Sequence, residues 1–319
     1  MAHKVLIPQD VAEEGKQYLR ERGYEIKMGS GISEDILKSE VQDCSAILVR
    51  TAQLSAAVLK AGPELKAIGR HGVGYDNIDV ATATELGIYV TYAPQANAQT
   101  VAEYTLGMII ALAHNFVRSD RATRAGDWEI RNRVPGIDLE GKTLGIVGYG
   151  KIGSRVARKA IAALDMKVLA YDPFVAADQM PDGARLTTDW ETVFKESDFI
   201  SLHLPSNEKT KGIVGKNEFS LMKQSAFLIN AARGDILNEK ELVEALKQGR
   251  IAGAGLDVFE KEPPDHTNEL FSLENVVVTP HNAALTTECM RRMALHAAMG
   301  IDDVMSGKEP QWPVNKPKK

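Results

Sequence analysis

Gly148, Gly150 and Gly153 follow the apolar run LGIV and open the stretch KIGSRVARKAIAAL, which has the composition of a helix. Glycines in this order between a strand and a helix can hold a dinucleotide. The first turns the chain tightly, the second lets the backbone approach a pyrophosphate, and the third lets helix and strand pack closely. The helix amino end adds free N–H groups and a partial positive charge for the phosphates. The next strand-like run, KVLAYD, ends in Asp172, whose carboxylate suits two ribose hydroxyls and repels a 2′-phosphate. Pro173 and Phe174 follow and bring no arginine to offset that repulsion, so NAD is expected over NADP.

The chain has 7 histidines, and their positions separate them. His281 follows the run NVVVTP, at the carboxyl edge where open α/β sheets place their ligands. His203 also lies near a strand end, in SLHLP, within the series that carries the glycine turn. His114 and His296 fall on helices and read as structural, and His3 and His266 fall in an exposed terminus and loop.

The elements that must position these groups form two series. KVLI, YEIKM, AILV, LKAIG and GIYVT alternate with the helix-like VAEEGKQYLRERG, SEDILKSEV and LSAAVLKAG. Such alternation implies a parallel sheet with helices on both faces. From residue 143 a second series of the same period runs through TLGIVG, MKVLAYD, FISLHLP, SAFLINAA, IAGAGLDVF and NVVVTP. Its strands are more continuously apolar, as in a sheet buried on both sides. The buried-helix pattern NAQTVAEYTLGMIIALAHN carries the chain from one domain to the other, and the amphipathic TTECMRRMALHAAMGIDDVMSG is expected to return to the first. The expected organisation is therefore one domain of residues 1–98 and 286–319, and a second of residues 99–285. It places most of the first domain ahead of the glycine turn.

With 319 residues the chain is long enough for two cores, and 44% hydrophobic with 25% charged residues is ordinary for a globular protein. A formal charge of -5 argues against a nucleic-acid partner, and KPKK at the end reads as a frayed tail. Cys44 and Cys289 are too few for a disulfide framework or a CxxC metal site. The apolar run at 105–113 is too short to span a bilayer, and MAHK leads straight into a strand. The expectation is a cytoplasmic protein with no membrane contact, no metal, and no regulatory domain after the returning helix.

Six segments, taken together, resemble the D-isomer-specific 2-hydroxyacid dehydrogenases. RHGVGYDNID at 70–79 looks like that family's substrate loop, NAQTVAEYTLGMIIAL its interdomain helix and GKTLGIVGYGKIG its cofactor turn. LINAARGDILNE, GLDVFEKEP and VVVTPHNAALT look like its catalytic segments. The resemblance covers nearly the whole chain and implies a Rossmann NAD-binding domain inserted in a flavodoxin-like substrate domain, both doubly wound parallel sheets. Carried over residue by residue, it makes Arg233 the substrate binder, Glu262 the partner of the histidine and His281 the acid/base.

The chemistry accounts for these types. Reduction of a 2-keto acid needs a hydride on the carbonyl carbon and a proton on its oxygen. An arginine fork can bind the substrate carboxylate and polarise the keto oxygen, which lysine could not reproduce. A free histidine titrates near about 6.5, and an adjacent carboxylate favours its protonated form, keeping it a donor near neutral pH. In RHGVGYDNID, Gly72 and Gly74 permit a tight turn, and the Val73 and Gly74 N–H groups could hold the substrate carboxylate.

The resemblance further places Lys151 and Ile152 at the phosphates, Ala231, Ala232, Arg233 and Asp257 near the nicotinamide and its ribose, and His203 beside the cofactor. Arg50, ending AILVR, matches a substrate-facing position, although TAQLS is one residue shorter than the usual pattern. PHNAAL also departs from the family, where a glycine-containing turn commonly follows the histidine. The implied substrate is a small D-2-hydroxyacid or 2-keto acid, phosphoglycerate-like or of the glyoxylate, hydroxypyruvate or D-lactate type. A NAD sensor without turnover is the alternative of another class. A homodimer through the interdomain helix and the arm RAGDWEIRNRVPGIDLEGK is implied as well.

Overall fold

The computed structural model describes residues 3–317. The chain divides into two compact units, Met1–Asn97 with Ala284–Lys319, and Ala98–Ala283. These boundaries lie within two residues of the expected ones.

In the first unit, β1 (Lys4–Ile7), β2 (Glu25–Met28), β3 (Ala46–Val49), β4 (Ala67–Arg70) and β5 (Tyr89–Thr91) form one sheet in the order β2-β1-β3-β4-β5. All pairings are parallel, and the order is flavodoxin-like. β3, with the continuous apolar sequence AILV, is buried throughout. The Thr287–Met305 helix belongs to this unit and packs by close backbone approach. A Cβ on Gly15 would meet the Ala294 carbonyl oxygen at 2.7 Å, and one on Gly69 of β4 would meet that of Ala297 at 2.4 Å. Residues after the helix return to the sheet edge, where Asn315 accepts the Val90 N–H through Oδ1 and donates to the Ile88 carbonyl.

The second unit holds β6 (Thr143–Val147), β7 (Lys167–Tyr171), β8 (Ala184–Thr187), β9 (Phe199–Leu202), β10 (Phe227–Asn230), β11 (Gly253–Leu256) and β12 (Val276–Val278). The sheet order is β12-β11-β10-β9-β6-β7-β8, again parallel throughout. From β6 the chain first builds outward through β7 and β8, then returns to place β9 on the other side of β6. Strand order reverses there, and a doubly wound sheet opens a ligand crevice at that point. The Ala98–Ala113 helix packs on the Gly153–Leu164 helix and carries Met108 and Leu112 against Gly255 of β11, where a glycine leaves them room. β8 and the Trp190–Glu196 and Lys216–Leu221 helices were not expected from sequence. β8 is a partly exposed edge strand, ARLT, with no apolar run to announce it.

No single helix among the described residues is long and apolar enough to cross a membrane. The long Ala98–Ala113 helix is apolar because it is core.

Candidate active site

The glycine turn sits at the carboxyl end of β6, on the switch point. Gly148 has φ of 94°, and a Cβ there would lie 2.7 Å from the His203 carbonyl oxygen at the end of β9. A Cβ on Gly153 would lie 2.1 Å from the Gly148 carbonyl oxygen. These two glycines are required by the protein itself. Gly150 differs, because a Cβ there would meet nothing within 4 Å. Its open side is a cradle of the kind a phosphate group needs. The Lys151 and Ile152 N–H groups have no acceptor among the described residues, and the following helix has no side-chain cap. The turn therefore fits a pyrophosphate.

Asp172 follows β7 and joins that turn. Its Oδ2 accepts the Tyr149 N–H at 2.8 Å and its Oδ1 accepts the Phe174 N–H at 2.9 Å. Each oxygen keeps a lone pair for a ribose hydroxyl. Phe174 is 95% exposed beside it. His203 is half-buried, with Nε2 3.0 Å from the Ser201 hydroxyl, and burial pushes its imidazole down to about 4. It packs at the turn as a neutral ring.

The loop after β10 carries Ala231, Ala232 and Arg233, all half-buried. Asn230, fully buried, shapes it from both ends: its Oδ1 accepts the Ala232 N–H at 3.0 Å and its Nδ2 donates to the Arg233 carbonyl at 2.8 Å. Gly234 then passes so close to the Phe259 carbonyl that a Cβ would lie 1.9 Å from it. That contact ties the arginine loop to the segment after β11, where Glu262 lies. The Arg233 guanidinium donates to the Ala232 carbonyl at 2.7 Å.

His281 and Glu262 meet directly, with Nδ1 2.6 Å from Oε2. Oε1 of Glu262 accepts the Phe259 N–H at 3.1 Å, and the His281 Nε2 has no partner among the described residues. Burial works to raise the Glu262 carboxyl, but the hydrogen bond and charge of His281, the Phe259 N–H and nearby Arg233 outweigh it. The group is held below the ordinary glutamate range. The second unit thus brings Arg233, Glu262 and His281 to the carboxyl edge of the sheet that carries the glycine turn.

Asp257 stands differently from its expected cofactor contact. It is fully buried, and its carboxylate accepts the Thr279 hydroxyl at 2.7 Å and the Asn282 and Ala283 N–H groups at 2.9 Å each. Its carbonyl accepts the His281 N–H at 2.7 Å. It holds the histidine turn and turns no exposed atom outward. Burial pushes its carboxyl up against those donors.

In the first unit, Arg50 follows β3 and donates through Nη1 to the Asp10 carbonyl at 3.0 Å, so its head is tethered to the loop after β1. Val73 and Gly74 are half-buried in the loop after β4, and their N–H groups have no acceptor among the described residues. Only Gly72 of that loop's two glycines has a positive φ, 145°. His71 beside it is 4% exposed, and burial together with the charges of Arg50 and Arg70 pushes its imidazole down to about 4.

Sequence reasoning missed Tyr104, Thr279, Asn282 and Asn230. The departure at PHNAAL pointed toward Asn282, whereas Tyr104 on an apolar helix reads as core.

A doubly wound sheet with this turn, and with Asp172 after β7, defines a dinucleotide-binding domain. A family model described as "D-isomer specific 2-hydroxyacid dehydrogenase, NAD binding domain" matches residues 106–283. The chain is 41% identical over 315 residues to a D-3-phosphoglycerate dehydrogenase of Archaeoglobus fulgidus, covering 98% of this chain and 59% of that one. It is 37% identical over 323 residues to a glyoxylate reductase of Korarchaeum cryptofilum, covering 99% and 97%. A D-lactate dehydrogenase from Aquifex aeolicus, solved with NAD and lactic acid, superimposes with a TM-score of 0.88 at 29% identity, covering 98% of this chain and 100% of that one. The chain belongs to the D-isomer-specific 2-hydroxyacid dehydrogenase family, and NAD is its cofactor. It spans about three fifths of the length of the Archaeoglobus phosphoglycerate dehydrogenase.

Proposed function

We propose that this protein is a NAD-dependent dehydrogenase that interconverts a small D-2-hydroxyacid and its 2-keto acid. The observation that carries this reading is the His281–Glu262 pair, 2.6 Å apart, with Nε2 of the imidazole left for a substrate. Bound nicotinamide supplies the hydride for reduction and accepts it in oxidation. In reduction, the Arg233 fork binds the substrate carboxylate and polarises the keto oxygen, and His281 gives a proton to that oxygen from Nε2. Glu262 accepts the hydrogen bond from Nδ1, which fixes the orientation of the ring. In oxidation, neutral His281 takes the hydroxyl proton at the same atom. The Val73 and Gly74 N–H groups and Arg50 are proposed as further carboxylate or phosphate contacts. Arg50 must first release the Asp10 carbonyl.

The cofactor contacts belong to the same proposal: the Gly148, Gly150, Lys151, Ile152 and Gly153 backbone at the pyrophosphate, Asp172 at the ribose, and Ala231, Ala232 and His203 along the cofactor. Asp257 is reassigned to holding the turn of His281. The relatives, a phosphoglycerate dehydrogenase and a glyoxylate reductase, favour a phosphorylated or very small substrate. The test is NADH oxidation across glyoxylate, hydroxypyruvate, its phosphate ester and pyruvate. Turnover of none of them would refute dehydrogenase function and favour a NAD sensor.

We also propose a cytoplasmic homodimer. Phe116, Val117 and Trp128 are 56%, 51% and 62% exposed on the segment that follows the long helix, large apolar side chains suited to contact with a second copy. Light scattering should give twice the mass of one chain, and Trp128→Glu should shift it toward monomer. A monomeric wild type would refute this.

A further inference from the structure

His281 has φ of 50°, a left-handed conformation that a residue with a Cβ rarely adopts. Such a backbone persists only where its surroundings hold it. Asp257 supplies one clamp, taking the His281 N–H on its carbonyl and the Asn282 and Ala283 N–H groups on its carboxylate. A second clamp comes from the Ala98–Ala113 helix. Tyr104 on that helix donates its hydroxyl proton to Oδ1 of Asn282 at 2.7 Å. Burial raises the Tyr104 hydroxyl above the ordinary tyrosine range, the charge of Asp257 adds to this, and Thr279 opposes it, so the group stays a donor throughout the working pH range.

We propose that Tyr104 and Asn282 form a positioning pair that anchors the turn of His281 to the long helix. The pair aims the imidazole at Glu262 and at the reacting oxygen. The His281 side chain is 49% exposed and its ring has one side-chain partner among the described residues, Glu262, so its place depends on its backbone. Asn282 is the next residue, and its side chain is tied to a rigid helix. A glycine at this position would leave the turn without that tether. A displacement of about 1 Å at a reacting group can cost on the order of 100-fold in rate. The inference rests on the acid/base reading of His281.

The experiment compares Tyr104→Phe, Asn282→Ala, Asn282→Asp, the double Tyr104→Phe/Asn282→Ala and His281→Asn in NADH-dependent reduction of the fastest 2-keto acid. Thermal melts and NADH titrations are run on each. Both single losses should lower kcat about 3- to 30-fold while KM and the NADH Kd stay within about 2-fold. The double variant should be no worse than the poorer single one, because both remove one interaction. Asn282→Asp, which keeps an acceptor for Tyr104, should retain more kcat than Asn282→Ala and supports the pair even where another variant folds poorly. Losses that multiply in the double variant, effects confined to KM or to NADH binding, or an unchanged kcat in both single variants would overturn the proposal while His281→Asn remains inactive. Wild-type turnover in His281→Asn would overturn the acid/base reading itself, and the positioning proposal with it.

Discussion

Gly150→Ala separates what the fold requires of the glycine turn from what the cofactor requires. A Cβ at Gly150 meets nothing within 4 Å, and Gly150 is not among the residues with positive φ. Alanine should therefore be accepted by the free protein, and the lost freedom of the unfolded chain should stabilise it by about 0.4–1 kcal/mol. That is a rise in Tm of a few degrees at most. The same methyl group would stand in the space that suits a pyrophosphate. Pushing the phosphates away loses one or more charge-assisted hydrogen bonds from backbone N–H groups, each contributing about 1.5–3 kcal/mol. The NADH Kd should then rise by roughly 10- to 150-fold. The contrasting variant is Gly153→Ala, whose Cβ would lie 2.1 Å from the Gly148 carbonyl oxygen. It should lose on the order of 1–3 kcal/mol of stability with or without cofactor. Melts in the absence of NADH and fluorescence titrations with it measure both quantities. Gly150→Ala binding NADH within 2-fold of wild type would refute the reasoning, as would a Gly150→Ala melt that falls as far as that of Gly153→Ala.

Glu262→Gln removes the charge beside His281 and keeps the side-chain shape. A limb of the pH–rate profile should move by about 1 unit or more while turnover at the optimum survives, and lost turnover at every pH with unmoved limbs would contradict the assigned role. His71 is held neutral in the fold down to about 4, whereas an unfolded histidine takes a proton below about 6.5. Between those values the unfolded chain binds the extra proton, so stability falls as pH drops, by up to ~3 kcal/mol. Denaturant melts from pH 7 to 4 should show a shallower loss in His71→Gln, and parallel curves would exclude this histidine as a cause.

Apolar periodicity made most of both sheets legible, because strands buried on two faces must be apolar along their length. β3, β6, β9 and β10 all show it. β8 was invisible for the same reason, since an edge strand buries little. The glycine turn and Asp172 could be read from order and spacing, and the structure separates the glycines by what lies beside each one. Arg233, Glu262 and His281 came from the resemblance of three separated segments. The structure brings those segments together by the close passage of Gly234 against Phe259 and the 2.6 Å His281–Glu262 contact. Orientation was not legible. A strand-end aspartate can face a ligand or its own chain, and Asp257 faces its own chain. Arg50 reads as a free cation, yet its head is tied to a backbone carbonyl. Tyr104 sits among apolar neighbours on its helix, and only PHNAAL, where a glycine-containing turn commonly follows the histidine, hinted that this turn is built differently.

The central claim is that His281, paired with Glu262, moves the proton in a NAD-dependent interconversion of a D-2-hydroxyacid and a 2-keto acid. The most direct measurement is NADH oxidation by wild type and His281→Asn side by side with glyoxylate, hydroxypyruvate, its phosphate ester and pyruvate, with the chirality of the products of the last three determined, glycolate being achiral. Turnover of at least one acid by the wild type is predicted, with a D-product wherever the product is chiral, and with a fall of roughly 100-fold or more in His281→Asn while NADH still binds. An L-product, no turnover of any acid, or near-normal turnover in the variant would contradict the account.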